Sequence, residues 1–252
     1  MKGPYARLWA LLAVAFAVMA LLSTFDDLTI FGHPIAKIGL PRENQRQVAR
    51  SVAAPRLNPS VAEADTMPKV VLFIGDSMVE GLSPRMAAYA QASGHQLYSV
   101  IWYGSTTEKW GSTHRLRHYV DRLKPDYVMI CLGGNELFVR DVERQRASAV
   151  DSIIADTRGL PFVWIGPPNW RPDTGINRLI ATHVGSGRFF LSADLKLDRA
   201  SDGAHPTHDA SVVWMDTVAR WIASQSVSPL RLDRPRHRTA KATRTIVLTP
   251  DD

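Results

Sequence analysis

Between Pro68 and Ser226 the apolar residues fall into two alternating patterns. Val70-Val71-Leu72-Phe73-Ile74 is an unbroken apolar run that stops at Gly75. Leu97 to Tyr103 ends at Gly104, Tyr127 to Leu132 at Gly133-Gly134, Phe162 to Ile165 at Gly166, and Phe189-Phe190-Leu191 comes last. Runs this short, apolar on consecutive positions, suit strands buried on both faces. The intervening segments carry helical spacing. Met78, Leu82, Met86 and Tyr89 share one helix face, as do Leu116, Tyr119, Val120 and Leu123. Val150, Ile153 and Ile154 begin a third stripe, and Trp214, Val218, Trp221 and Ile222 form a fourth. Strand alternating with helix predicts a parallel sheet with right-handed crossovers, hence a three-layer α/β domain over residues 69–225 with five strands.

The flanks read differently. Leu8 to Phe25 is 18 residues without a charge, preceded by Lys2 and Arg7. That predicts a signal-anchor or transmembrane helix over residues 1–25, with the N-terminus cytoplasmic and the rest exported, on the periplasmic or extracellular side. The competing reading is a cleaved signal peptide. Ala15-Phe16-Ala17 fits the cleavage pattern but lies inside the apolar run, so the uncleaved anchor is preferred. Residues 26–68 contain Pro34, Pro41, Pro55, Pro59 and Pro68 without sustained periodicity and read as a stalk or lead-in. Residues 226–252 are basic, poor in large apolar residues, and read as a disordered tail.

Composition changes this picture little. With 45% hydrophobic and 21% charged residues, 16 Gly, 16 Pro and 1 Cys in 252 residues, collagen-like, disulfide-rich and wholly disordered chains are excluded. The net charge of +6 resides mostly in the two flanks. The central domain is close to neutral, so basicity is no argument for a nucleic-acid partner.

In parallel sheets ligands bind beyond the carboxyl ends of the strands. Those ends carry Asp76-Ser77, Gly104-Ser105-Thr106, Gly134-Asn135-Glu136, Pro167-Pro168-Asn169-Trp170 and Ser201-Asp202-Gly203-Ala204-His205. A serine hydroxyl needs an adjacent base to become a nucleophile at neutral pH. His205 is the natural base for Ser77, and Asp202 lies close enough in sequence to orient its ring. The N–H groups of Ser77 and Gly104 and the amide of Asn135 are candidate donors to a developing oxyanion. Simpler roles compete: Ser77 and Asn135 as helix caps, Asp202 as a turn residue, His208 as a rival base. Asp202, His205 and His208, or His114 and His118, also form weak metal-ligand patterns, but no metal is expected. Trp102, Trp110, Trp164 and Trp170 fall near the same edge. Trp170 and Asn169 are candidate substrate contacts, and core packing is the default for Trp164.

Gly75-Asp76-Ser77, Gly104, Gly133-Gly134-Asn135 and Asp202-Gly203-Ala204-His205 resemble the four sequence blocks of the SGNH (GDSL-type) hydrolase superfamily. They occur in the family's order over residues 70–224. The resemblance implies a flavodoxin-like sheet and an esterase, lipase, thioesterase, carbohydrate acyl-esterase or acyltransferase activity. It also implies Ser77 as nucleophile, His205 as base, Asp202 as its orienting acid, and Ser77, Gly104 and Asn135 as oxyanion hole. Two positions depart from the pattern: Glu136 stands where Asp is common after the block-three Asn, and Met78 where Leu often follows the Ser. The resulting expectation is a membrane-anchored serine esterase that forms an acyl-enzyme and acts on O-acetylated envelope carbohydrate. An O-acyltransferase, a lipase or lysophospholipase, and a non-catalytic glycan-binding protein are the alternatives. No cofactor is expected, since Gly133-Gly134 extends into no dinucleotide fingerprint.

Overall fold

A computed structural model of the chain describes residues 67–249 and two short antiparallel strands near the N-terminus, β1 (Thr29–Ile30) and β2 (His33–Pro34). The chain divides into two compact units, Met1–Ser60 and Val61–Asp252. The uncharged run Leu8 to Phe25 and nearly all of the proline-rich lead-in lie outside the described residues. Among the described residues no helix is long and apolar enough to cross a membrane.

The second unit holds a parallel sheet. Its strands are β3 (Val70–Gly75), β4 (Gln96–Trp102), β5 (Tyr127–Cys131), β6 (Phe162–Ile165), β7 (Phe189–Phe190) and β8 (Arg244–Leu248), in the order β7-β6-β5-β3-β4-β8. The first five are the apolar runs of the sequence. Alternation along β3 sends Val71 and Phe73 to one face and Leu72 and Ile74 to the other. Helices α1 (Met78–Ala92) and α6 (His208–Ser224) cover the first face through Met86, Trp214 and Val218. Helices α2 (Thr107–Thr113), α3 (Arg115–Leu123), α4 (Val142–Asp156) and α5 (Ile176–Val184) cover the second through Trp110, Leu116, Ile153 and Ile180. The expected α/β/α layering is present.

The sheet has six strands rather than five, and the sixth lies in the segment expected to be disordered. β8 pairs in parallel with β4, Tyr98 opposite Arg244 and Trp102 opposite Leu248. The path leading to it is held mainly by side chains from α1 and the loop after it. The buried Arg85 guanidinium bonds Asp216 (2.6 Å) and donates to the carbonyls of His237 (3.1 Å) and Arg238 (3.0 Å). Ser93 Oγ accepts from Asp233 N–H (2.7 Å), and Thr243 Oγ1 accepts from Leu97 N–H (3.1 Å). Its apolar anchors, Leu230, Ile246 and Leu248, are few and scattered among basic residues, which is why its sequence reads as solvated.

His95 belongs to the same strap. Its Nδ1 lies 3.1 Å from Lys69 N–H and its Nε2 2.7 Å from the Arg231 carbonyl. Only a neutral ring can accept at one nitrogen while donating at the other. Burial lowers its pKa, outweighing the Arg231 carbonyl. With the folded value below the unfolded one (about 6.5), the stability from this neutral ring is present above the unfolded value and lost as pH falls through the folded value. The Tm advantage of wild type over His95→Asn should therefore shrink between pH 7.5 and pH 5. An advantage that stays constant over that range would exclude His95 as the titrating group.

Candidate active site

Sheet order reverses direction at β3, which has β4 on one side and β5 on the other. The crevice beyond their carboxyl ends is where such folds bind ligands. β3 and β5 approach so closely there that a Cβ on Gly75 would lie 2.0 Å from the Cys131 carbonyl oxygen. Glycine at 75 thus lets β5 pack this close to β3 just before Asp76-Ser77.

Ser77 occupies the N-cap position of α1, yet with helical backbone angles and no side-chain capping bond. Its hydroxyl instead lies 2.7 Å from His205 Nε2. The capping reading of Ser77 therefore does not describe this side chain. His205 and Asp202 sit on the loop between β7 and α6. That loop folds back on itself through Ala200 N–H to the His205 carbonyl (2.8 Å), Thr207 N–H to the Asp198 carbonyl (2.8 Å) and an antiparallel bridge of Arg199 with Pro206. Asp202 accepts from the backbone N–H groups of Ala204 (2.8 Å) and His205 (3.0 Å), and its other oxygen lies 2.6 Å from His205 Nδ1. The bond to the His205 ring first, then these backbone N–H groups, hold the Asp202 carboxyl down at about 2. An ionised carboxylate only accepts, so Nδ1 carries the ring proton and Nε2 is left to accept from Ser77. His208 opens α6, exposed to solvent, while His205 holds the place beside the serine.

The three expected oxyanion donors follow the carboxyl ends of the neighbouring strands β3, β4 and β5. The N–H groups of Ser77 and Gly104 have no hydrogen-bond partner among the described residues. Gly104 has φ +65°, a conformation that favours glycine, and the space beside it is open, with nothing within 4 Å of a Cβ placed there. Asn135 Nδ2 donates to the Ser105 carbonyl (2.8 Å), which fixes the side chain and leaves its second amide hydrogen available.

Two groups behind this site, named from the sequence without a role, are given one by the structure. Asp76 is buried, and one carboxyl oxygen accepts from Met78 N–H (2.9 Å). Burial, more than the neighbouring Glu136 charge, raises its pKa to about 7. Glu136 is 0% exposed. Its Oε1 accepts from Thr107 N–H (2.8 Å) and from the Thr107 hydroxyl, and lies 3.3 Å from Arg146 Nε. Asn135 and Glu136 thus grip the Ser105–Thr107 segment at two points, just after Gly104. Burial raises the Glu136 pKa, opposed by the Thr107 bonds and Arg146. Glutamate, one methylene longer than the aspartate common at this position in the resembled family, spans to Thr107 here. Glu136→Ala should lower kcat roughly 30-fold with KM little changed, through misplacement of the Gly104 loop. Glu136→Gln keeps an acceptor for Thr107 and should recover most of that loss. Equal damage in both variants would mean that the Thr107 acceptor is not what matters.

The remaining candidates are placed as follows. Trp102, Trp110 and Trp164 are fully buried, their indole N–H groups bonded to Thr249 O (2.6 Å), Ser105 Oγ (2.9 Å) and Leu132 O (3.2 Å). Trp170 is half-buried and donates to the Gly134 carbonyl (3.1 Å). Asn169 Oδ1 is taken by Asn177 Nδ2 (3.0 Å), which turns that amide toward α5. Arg199 ties these loops together, donating to the carbonyls of Ala204 (2.8 Å), Asn169 (3.1 Å) and Pro168. Its partners are backbone oxygens, so no residue-type pattern announces it. His114 pairs with Asp156 (3.1 Å) and His118 packs edge-on against Tyr119. Among the described residues no group of three or more His, Cys, Asp or Glu is placed to hold a metal ion.

No family model and no curated protein matches the chain. Among solved structures it is similar to the lipase/acylhydrolase from Enterococcus faecalis (21% identity, covering 68% of this chain and 100% of that one, TM-score 0.49). It is similar also to TesA (21% identity, 61% and 97% coverage, TM-score 0.48). A third is the psychrotrophic esterase EstA from Pseudoalteromonas sp. (16% identity, 61% and 96% coverage, TM-score 0.46). Likenesses this distant assign no activity, and the chemistry of the site rests on its own side chains.

Proposed function

We propose that this protein is a serine ester hydrolase of SGNH type that works through an acyl-enzyme on Ser77. The observation that carries this reading is the continuous line from Ser77 Oγ through His205 to Asp202, at 2.7 and 2.6 Å, built on a serine released from capping duty. His205 Nε2 takes the hydroxyl proton as Ser77 Oγ bonds to the ester carbonyl carbon. The oxyanion of the tetrahedral intermediate is met by Ser77 N–H, Gly104 N–H and the Asn135 amide. Collapse breaks the ester C–O bond, and the imidazolium returns its proton to the leaving alcohol. Water, deprotonated by the same ring, then releases the acid and restores the serine.

O-acetylated carbohydrate of the cell envelope is the substrate we favour, since the uncharged run Leu8 to Phe25 supports export of the domain. This substrate choice is an inference from compartment, and transfer to a sugar hydroxyl shares the same acyl-enzyme. The test is hydrolysis of p-nitrophenyl acetate by the full chain, with labelling by a serine-directed fluorophosphonate. Turnover with labelling at Ser77 supports the reading. Labelling with no turnover shifts it to an acyltransferase. Neither would leave a glycan-binding protein on this fold.

A further inference from the structure

The loop after β6 is tied both to the turn that carries Asn135 and to the loop that carries His205. At one end Trp170 bonds the carbonyl of Gly134, the residue before Asn135. Along its length Pro168 and Asn169 are tied through Arg199 to Ala204, the residue before His205. Arg171 follows directly. Its guanidinium carbon lies 4.5 Å from the Trp170 ring centre and 5.8 Å from that of Phe138, which comes three residues after Asn135. The acid closest to it in sequence and the acid of the serine line are both occupied elsewhere. Asp173 caps α5, accepting from the N–H groups of Gly175 (2.8 Å), Ile176 (2.8 Å) and Asn177 (3.3 Å), and Asp202 holds His205. Among the described residues no carboxylate pairs with Arg171.

We propose that Arg171, seated on Trp170 and Phe138, is an anion subsite, and that the ester this protein takes carries a carboxylate on its alcohol portion. The inference rests on the serine-ester reading above and deepens it. A guanidinium lying over aromatic rings is pre-oriented and weakly hydrated, and its planar fork matches a carboxylate in two parallel bonds. Phe138 is 56% exposed although it adjoins the oxyanion turn. That apolar face beside the cation suits the ring of an organic acid, such as an acidic sugar, better than a small inorganic anion.

The test compares hydrolysis of 4-acetoxybenzoate and 4-acetoxybenzamide by the full chain, each kcat/KM divided by its uncatalysed hydroxide rate. Wild type should prefer the anionic ester about five-fold at low salt, and less as ionic strength rises. The ratio should fall to about one in Arg171→Gln and below one in Arg171→Glu. Because each ratio is taken within one protein sample, partial misfolding of a variant does not affect it. A wild-type ratio of one or less, or a preference that Arg171→Gln leaves intact, overturns the subsite while the serine reading stands. No hydrolysis of either ester and no fluorophosphonate labelling overturns both.

Discussion

Ser77→Ala and His205→Ala should each lower kcat for p-nitrophenyl acetate by about 10⁴-fold or more, with little change in Tm. The size follows from how the two groups act as one unit. Without Oγ there is no atom to carry the acyl group, and without Nε2 the hydroxyl keeps its proton, so either loss removes nearly the whole advantage. The double variant should be barely slower than either single one. Stability should hold because Ser77 makes no capping bond, and because His205 sits on a loop kept in place by its own backbone. Losing a half-buried hydroxyl of this kind costs roughly 0.5 kcal/mol or less. Kinetics beside a thermal melt decide the matter. Wild-type rates in a well-folded Ser77→Ala protein would remove Ser77 from the chemistry, and fluorophosphonate labelling of that variant would point to another nucleophile.

Asn135→Ala should lower kcat by about 10²–10³-fold, the usual loss for one preorganised oxyanion donor, and leave KM within a few-fold of wild type. The split arises because the donor is aimed at charge that develops only in the transition state. The bond from Asn135 to Ser105 is lost as well, which leaves a carbonyl short of a partner and costs about 1 kcal/mol of stability. That smaller cost would appear in Tm and not in kcat. Steady-state kinetics over a range of ester concentrations separate the two effects. A kcat within three-fold of wild type would mean that the Ser77 and Gly104 N–H groups suffice and that Asn135 serves only to hold the loop. Glu136→Ala acts on the same loop from behind, so the Asn135 and Glu136 effects should combine less than multiplicatively.

Much of the site was legible because its parts follow the strands. Five apolar runs end in turns, and the structure joins Ser77, just beyond the first, to His205 and Asp202 on the loop after the last. The unbroken apolar run of β3, followed by a helical stripe, likewise predicts the layered α/β arrangement. Glu136 was visible as a departure from the resembled family's pattern, but its grip on Thr107 was not, since the partner lies 29 residues away. Asn169, a candidate contact by position, turns out to be engaged with Asn177.

What the sequence alone determined is what short-range patterning encodes: which segments are strands and helices, which faces they bury, and which reactive residues stand at the strand ends. Tertiary structure alone decided the rest. β8 is held because Arg85, Ser93, His95 and Leu97 give a polar tail bonds it cannot make to itself. Ser77 is turned to His205 rather than to its own helix, and Asp173 is turned to α5 while Arg171, without a carboxylate partner among the described residues, lies over Trp170. In each case the partner of a polar group lies far away in sequence or on another element. Hydrogen bonds are short-ranged and directional, so only the folded chain selects among them.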